Sequence, residues 1–291
     1  MILDFSNWDI AEDFSPASGA SEKEWIINPS KTCVGLFKFP KSDETYEHFS
    51  EKISFELAKI IGVESAKIDL GIYCDTLGSI SYLINDSSKE SLIEGVTLIS
   101  KFRENYDTFQ LKDLDSDEYY SFDMILESIK PYGLKNDFFK VVIFDYIIGN
   151  SDRHHSNWGV LESDSTIRFC PVYDNGSSLC CYVKESDIIS KINDNQWFNS
   201  IVVSKSRSII RLDKIKKAKP THREVVQYLS DNYYKETVDF VINIKEKLND
   251  EVISTLIETY SYNILTEERK SFLKRYLSKK VEELISIYKL K

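Results

Sequence analysis

Ser151 to Gly159 reads SDRHHSNWG, and this short polar stretch constrains the chain more than any other part of it. An apolar, helix-forming run (FFKVVIFDYII) precedes it and a strand-forming run (WGVLE) follows, so it reads as a loop joining a helix to a strand. Within it Asp152 and Asn157 stand five residues apart, and Asp174 lies seventeen residues beyond Asn157, in CPVYDNGSS. A fold that converges these positions sets an acid, an amide and a second acid around one point. Metal-assisted phosphoryl transfer from ATP needs such a set: one group orients the acceptor hydroxyl while two others hold Mg²⁺ against the phosphates.

The flanking pattern changes character once. Residues 1–83 read as strands plus one helix. WIIN (25–28), CVGLFKF (33–39), IDLGIYC (68–74) and SISYLI (79–84) are strand-like, the last two joined by a glycine-containing turn. Thr45 to Ile61 reads as a helix with Phe49, Ile53, Leu57, Ile60 and Ile61 on one face and Gly62 as its terminator. Beyond residue 84 the periodicity is mainly helical: one face is marked by Phe138, Phe139, Val142, Ile143, Tyr146 and Ile147, and further helices are expected over 221–229, 232–249, 250–262 and from Thr266. WGVLE and TIRFC form a hairpin around Ser163–Ser165. The expectation is an α+β fold of two lobes, a small β-rich one over 1–83 and a larger, mainly helical one over 84–291.

A net charge of −10 argues against non-specific nucleic-acid binding, which neutralises phosphates with Lys and Arg. The basic run KIKKAK, Lys214 to Lys219, is read as a solvated helix end. The five cysteines form no CxxC pair, so neither a disulfide framework nor a zinc set is expected. With no signal-like N-terminus and no apolar run of about 18 residues, a cytoplasmic protein without a membrane span is expected.

Lys38 sits in an apolar strand, where an ammonium needs a partner. Glu51 on the following helix is one candidate and Glu56 its rival; five residues apart, they differ by about 140° around a helix, so both cannot face one cleft. SPASGASEKEW, Ser15 to Trp25, offers small residues whose backbone could approach phosphates closely. His154 and His155 are adjacent on the loop, and the remaining His48 and His222 lack ligand spacing, so a histidine metal centre is not expected. His154 is instead expected to hold the loop's shape.

Together GASEK (19–23), LFKFP (36–40), SEKISFELAKIIG (50–62), FDYIIGNSDRHHSNWGVL (144–161) and CPVYDNGS (170–177) resemble the HipA family of bacterial serine/threonine kinases. The resemblance implies an ATP- and Mg²⁺-dependent protein kinase. Asp152 would be the catalytic base, Asn157 and Asp174 the metal ligands, Lys38 the phosphate-contacting lysine and Glu51 its partner. Ser18, Gly19, Ala20 and Ser21 would cover the nucleotide, with His154 joining the nucleotide-binding set. Family members often phosphorylate a serine in that covering loop; here Ser15 and Ser18 flank the matching slot, and Ser21 replaces an expected glutamine. Many relatives carry an additional N-terminal subdomain; with only about 14 residues before the loop, a kinase core without it is expected. The resemblance further implies a protein acceptor such as an aminoacyl-tRNA synthetase, and an antitoxin or separate regulatory chain as partner. The DRHxxN loop also resembles that of phosphoinositide kinases, although a DFG-type segment is absent. Two other readings are a catalytically silent kinase-like binding module and a hydrolase with a His/Asp metal site.

Overall fold

A computed structural model of the chain describes residues 2–14, 22–42, 44–86, 88–261 and 264–290. Its first layer is one sheet: β1 (Ile2–Asp4), β2 (Asp9–Ile10), β3 (Lys23–Ile27), β4 (Val34–Lys38), β5 (Ile68–Tyr73) and β6 (Thr76–Tyr82), in the order β1-β5-β6-β4-β3-β2. The β1–β5 pair is parallel and the other four pairs are antiparallel. Successive side chains of a strand face opposite ways. Phe37 and Ile80 therefore enter a small core with Phe5, Ile26 and Tyr73 on one face, and Lys38 is delivered to the other.

That other face meets α1 (Glu47–Ile61), which begins two residues later than expected and ends, as expected, at Gly62 with φ +78°. Phe49, Ile53, Leu57 and Ile61 are buried and share a cluster with Leu70 of β5. Ile60, expected on the same face, is only partly buried. The β5–β6 turn differs from expectation. Cys74 and Asp75 form it at φ +47° and +58°, the left-handed pair that a tight two-residue hairpin demands. Gly78 lies inside β6 instead, because a Cβ there would stand 2.4 Å from the carbonyl oxygen of Lys38.

After β6 the chain forms β7 (Ser91–Glu94), α2 (Gly95–Ser100), a ribbon of β8 (Tyr106–Asp107) and β9 (Lys112–Asp113), α3 (Phe122–Ile129) and α4 (Lys135–Ile148). β10 (Gly159–Glu162) and β11 (Ile167–Phe169) make the expected hairpin, extended by β7 into a three-stranded sheet. The short β7 was not visible as a strand within a region read as helical. The remainder is α5 (Glu185–Lys191), α6 (Asn195–Asn199), α7 (His222–Asn232), α8 (Tyr234–Lys247), α9 (Asp250–Glu258) and α10 (Glu267–Ile287). Thr221 and Glu224 cap α7 reciprocally, and Thr266 caps α10 ahead of Glu267 and Glu268.

α4 is the axis of this larger lobe. Beyond its expected face, Val141, Phe144, Asp145 and Ile148 are also buried, so it is covered on nearly every side. Lys214–Lys219 is not a helix end; it is an irregular connection leading into the N-cap Thr221. The run lacks an apolar stripe to bury against a neighbour, and Pro220 disfavours helix immediately before it. The expectation of an α+β fold with a small β-rich lobe and a larger helical lobe holds.

Candidate active site

A cavity of about 610 Å³ lies where the sheet faces the helical lobe, lined from one side by Lys23, Lys38 and Glu51 and from the other by Asp152, Asn157 and Asp174. The Lys38 ammonium donates to Glu51 Oε1 at 2.5 Å and to Asp174 Oδ1 at 2.7 Å. Glu51 is thus chosen over Glu56, which turns away and pairs with Lys52 at 2.9 Å. Glu51 is 2% exposed, and its second oxygen accepts the backbone N–H of Asn175 at 3.2 Å. One glutamate on α1 therefore fixes both the strand lysine and the segment that follows Asp174.

The charges respond to this arrangement. Burial alone would lower the Lys38 pKa, but the carboxylates of Glu51 and Asp174 outweigh it and drive the value up. Lys38 in turn holds the Asp174 carboxyl down to about 2 against the opposing effect of burial. Asp152 moves the other way: burial raises its pKa, with Asp174 adding to the rise and His154 opposing it. Two acids lining one cavity are thereby separated in acidity. Asp174 occupies the left-handed region at φ +55°, which Asp tolerates better than most residues.

The 151–159 loop is shaped from within. Asp152 N–H donates to Asn150 Oδ1 at 2.9 Å, while its carbonyl accepts from His154 N–H and Asn157 Nδ2, both at 2.8 Å. The amide nitrogen of Asn157 is thereby committed, and among the described residues no donor takes its Oδ1. His154 Nδ1 accepts from Ser156 N–H at 3.2 Å, as a loop-shaping residue would. The other histidines are engaged elsewhere: His155 with the Tyr106 hydroxyl at 3.0 Å, His222 with the Asn150 carbonyl at 2.8 Å, and His48 against the Phe49 ring.

Sequence reasoning missed the hub that joins these parts. Arg153 is 1% exposed and makes a two-pronged contact with Asp145 of α4 at 2.7 and 3.0 Å. Its remaining donors reach the carbonyls of Asn157 and Tyr173, both at 2.8 Å, and Asn175 Oδ1 at 2.6 Å. The signal was present: an acid inside VVIFDYII cannot be buried without a cation, and the nearest arginine is eight residues on. Lys23 was missed too; it stands opposite Lys38 in register, inside the same cavity. Ser15, Ser18, Gly19, Ala20 and Ser21, expected to cover the nucleotide, lie outside the described residues.

The family model for the HipA-like C-terminal domain matches residues 15–237. The chain belongs to that family. Among curated proteins, this HipA-like chain is 23% identical over 272 residues to the serine/threonine-protein kinase CtkA of Helicobacter pylori (strain J99 / ATCC 700824), an alignment covering 87% of this chain and 77% of that one. Among solved structures, the Helicobacter pylori proinflammatory kinase CtkA superposes with a TM-score of 0.80 at 20% identity, covering 99% of this chain and 97% of that one. The HipA–HipB–operator DNA complex of the Shewanella oneidensis MR-1 toxin–antitoxin system provides a second likeness, with a TM-score of 0.60 at 14% identity over 95% of this chain and 67% of that one. The HipA-like fold is therefore the two-lobed kinase fold expected from the motifs.

Proposed function

We propose that the protein is an ATP-dependent protein serine/threonine kinase of HipA type. The observation that carries this reading is Lys38, joined at once to Glu51 on α1 and to Asp174 across the cleft, with the Asp152 carboxylate facing the same space. Membership of the HipA-like family and the likeness to a curated serine/threonine kinase support it. We place the lobe division near residue 83, where the chain leaves the six-stranded sheet.

In this reading the acceptor hydroxyl lies against Asp152. Its oxygen forms the bond to the γ-phosphorus, its proton passes to the Asp152 carboxylate, and ADP leaves with the electrons of the broken phosphoanhydride. The raised pKa of Asp152 suits a proton acceptor. Lys38 exchanges part of its contact with Asp174 for phosphate oxygens, while Glu51 keeps it aimed. Asn157 Oδ1 and the Asp174 carboxylate are hard oxygen donors lining one cavity, and they fit a small divalent cation. Asn157 and Asp174 would hold Mg²⁺ there, and the ion would supply positive charge that offsets the charge developing during transfer. The Ser15–Ser21 loop, with Ser15 and Ser18 as candidate autophosphorylation sites, is assigned to cover the phosphates. A cytoplasmic setting, a regulatory partner chain and a translation-related acceptor complete the proposal; the Shewanella likeness, solved with HipB, supports the partner.

The test is incubation of the full chain with labelled Mg·ATP and candidate proteins, followed by phosphosite mapping. Asp152→Ala is expected to lower transfer by about 10²–10⁴-fold while leaving nucleotide affinity nearly intact, as removal of a general base does. Asp174→Ala is expected to lose transfer and metal-dependent nucleotide binding together. Full activity in both variants would sink the assignment.

A further inference from the structure

The basic run that sequence reasoning set aside has a definite place in the fold. Between Lys205 and Lys219 seven basic residues stand against a single acid, Asp213, in a chain whose net charge is −10. Three of the seven are occupied. Lys214 pairs with Glu118 at 2.5 Å, Lys216 with Asp213 at 2.9 Å, and Arg211 is buried with its guanidinium over the Tyr119 ring. Arg207, Lys217 and Lys219 are exposed, and no carboxylate among the described residues is in ion-pair contact with them.

This segment is tied to the catalytic-looking loop. His222 Nε2 donates to the carbonyl of Asn150, two residues before Asp152, at 2.8 Å. His222 N–H donates to the Ser206 carbonyl at 2.9 Å, Ser208 N–H to Pro220 at 3.0 Å, and Arg207 to the Lys219 carbonyl at 2.6 Å. Arg207 and Lys219 are thereby clamped together beside the entrance to the loop. Lys41, in the chain leaving β4, lines the cavity, donates to the Tyr182 hydroxyl at 3.0 Å and stands 3.9 Å from Glu47. Lys219 and Lys41 are both near enough to act electrostatically on Asp152.

We infer that Lys219 and Arg207, together with Lys41, form a substrate-docking lip that selects acceptor hydroxyls flanked by acidic residues. The inference rests on the kinase reading above and names its substrate class. An acceptor carrying Asp or Glu beside its Ser or Thr would place those carboxylates against Lys219 and Arg207, which have no ion-paired carboxylate among the described residues, and against Lys41, whose carboxylate Glu47 stands 3.9 Å away, while a basic flank would meet repulsion. The side chains are exposed, so selection acts through charge complementarity and weakens as salt rises. A protein segment is favoured over a nucleic acid because Lys219 and Lys41 act on Asp152 and the rest of the molecule is strongly acidic.

The experiment uses the full chain with Mg·ATP and matched Ser/Thr peptides bearing acidic, neutral or basic flanks. Transfer is measured, and binding is read separately by fluorescence anisotropy. The wild type is expected to favour acidic flanks over neutral ones by about tenfold at low salt, as a few exposed charge pairs of modest strength allow. The double variant Arg207→Glu/Lys219→Glu should erase or invert that order while Mg·ATP affinity, measured by calorimetry, is unchanged. Transfer without acidic preference, or a preference untouched by the double variant, overturns the inference and leaves the kinase reading standing. No transfer to any peptide, with the binding order intact, overturns the kinase reading and leaves the acidic-segment lip standing. A labelled oligonucleotide that binds through Arg207 and Lys219 while the peptides show no order overturns the inference in favour of nucleic acid.

Discussion

Asp152 and Asp174 line one cavity yet their acidities are pushed apart, and each shift carries a consequence for stability. The Asp174 carboxyl is held at about 2 by Lys38, below the roughly 3.9 of an unfolded chain. Its contribution is therefore complete above about pH 4 and is lost as pH falls toward 2. Asp152 has the opposite sign: burial raises its folded value, so ionising it costs stability at neutral pH. In urea titrations Asp174→Asn is expected to be destabilised by a constant margin from pH 5 to 9, a margin that shrinks below about pH 4. Asp152→Asn is expected to match or exceed wild-type stability at pH 7 despite losing activity. Same-signed effects of the two variants at pH 7 would contradict the arrangement described. Asn is the informative replacement at Asp174, because it keeps tolerance for φ +55° and removes only the charge.

At the scale of elements, Arg153 links α4, the 151–159 loop and the Tyr173–Asn175 segment through five hydrogen bonds to four residues. Removing it leaves Asp145 as an uncompensated buried charge, and Arg153→Ala is expected to cost about 3–5 kcal/mol in denaturant unfolding. Arg153→Lys should recover little, since a single ammonium cannot reproduce the planar fork. Much of the architecture was legible beforehand. The Gly62 stop of α1, the β10–β11 hairpin and the Thr266 helix start each follow from local chemistry written in adjacent residues. The Arg153 hub was not, because its partners lie up to 22 residues away and the pattern around Asp145 looks like an ordinary apolar helix face. The β5–β6 turn was misplaced for a related reason. Gly78 looks like a turn residue in isolation, and only the approach of β4 reveals why it lacks a side chain.

For the whole molecule, the cavity is bounded by both lobes, so a ligand that fills it adds contacts absent from the unfolded chain. Mg·ATP at about 100 times its dissociation constant is expected to stabilise the protein by about 2.7 kcal/mol, visible as a rise in Tm. Asp174→Asn should abolish the metal-dependent part of that rise, and an unaltered rise in this variant would remove Asp174 from the metal set. The choice of Glu51 over Glu56 came from the family resemblance, because helical geometry excludes having both but does not say which faces the sheet. The identity of the fold was legible because its motifs are contiguous; the lip formed by Arg207 and Lys219 was not, because it depends on a connection that packs against a loop more than fifty residues earlier.

Asp174 is suspended between neighbours that belong to different bodies. The peptide before it is anchored to Arg153 in the helical lobe and the peptide after it to Glu51 on the helix that rides with the sheet. A small hinge rotation between those bodies would pull on the two tethers unequally and swing this carboxylate first. In the proposed kinase, where Asp174 holds the metal, grip on that ion would then gauge the lobe angle.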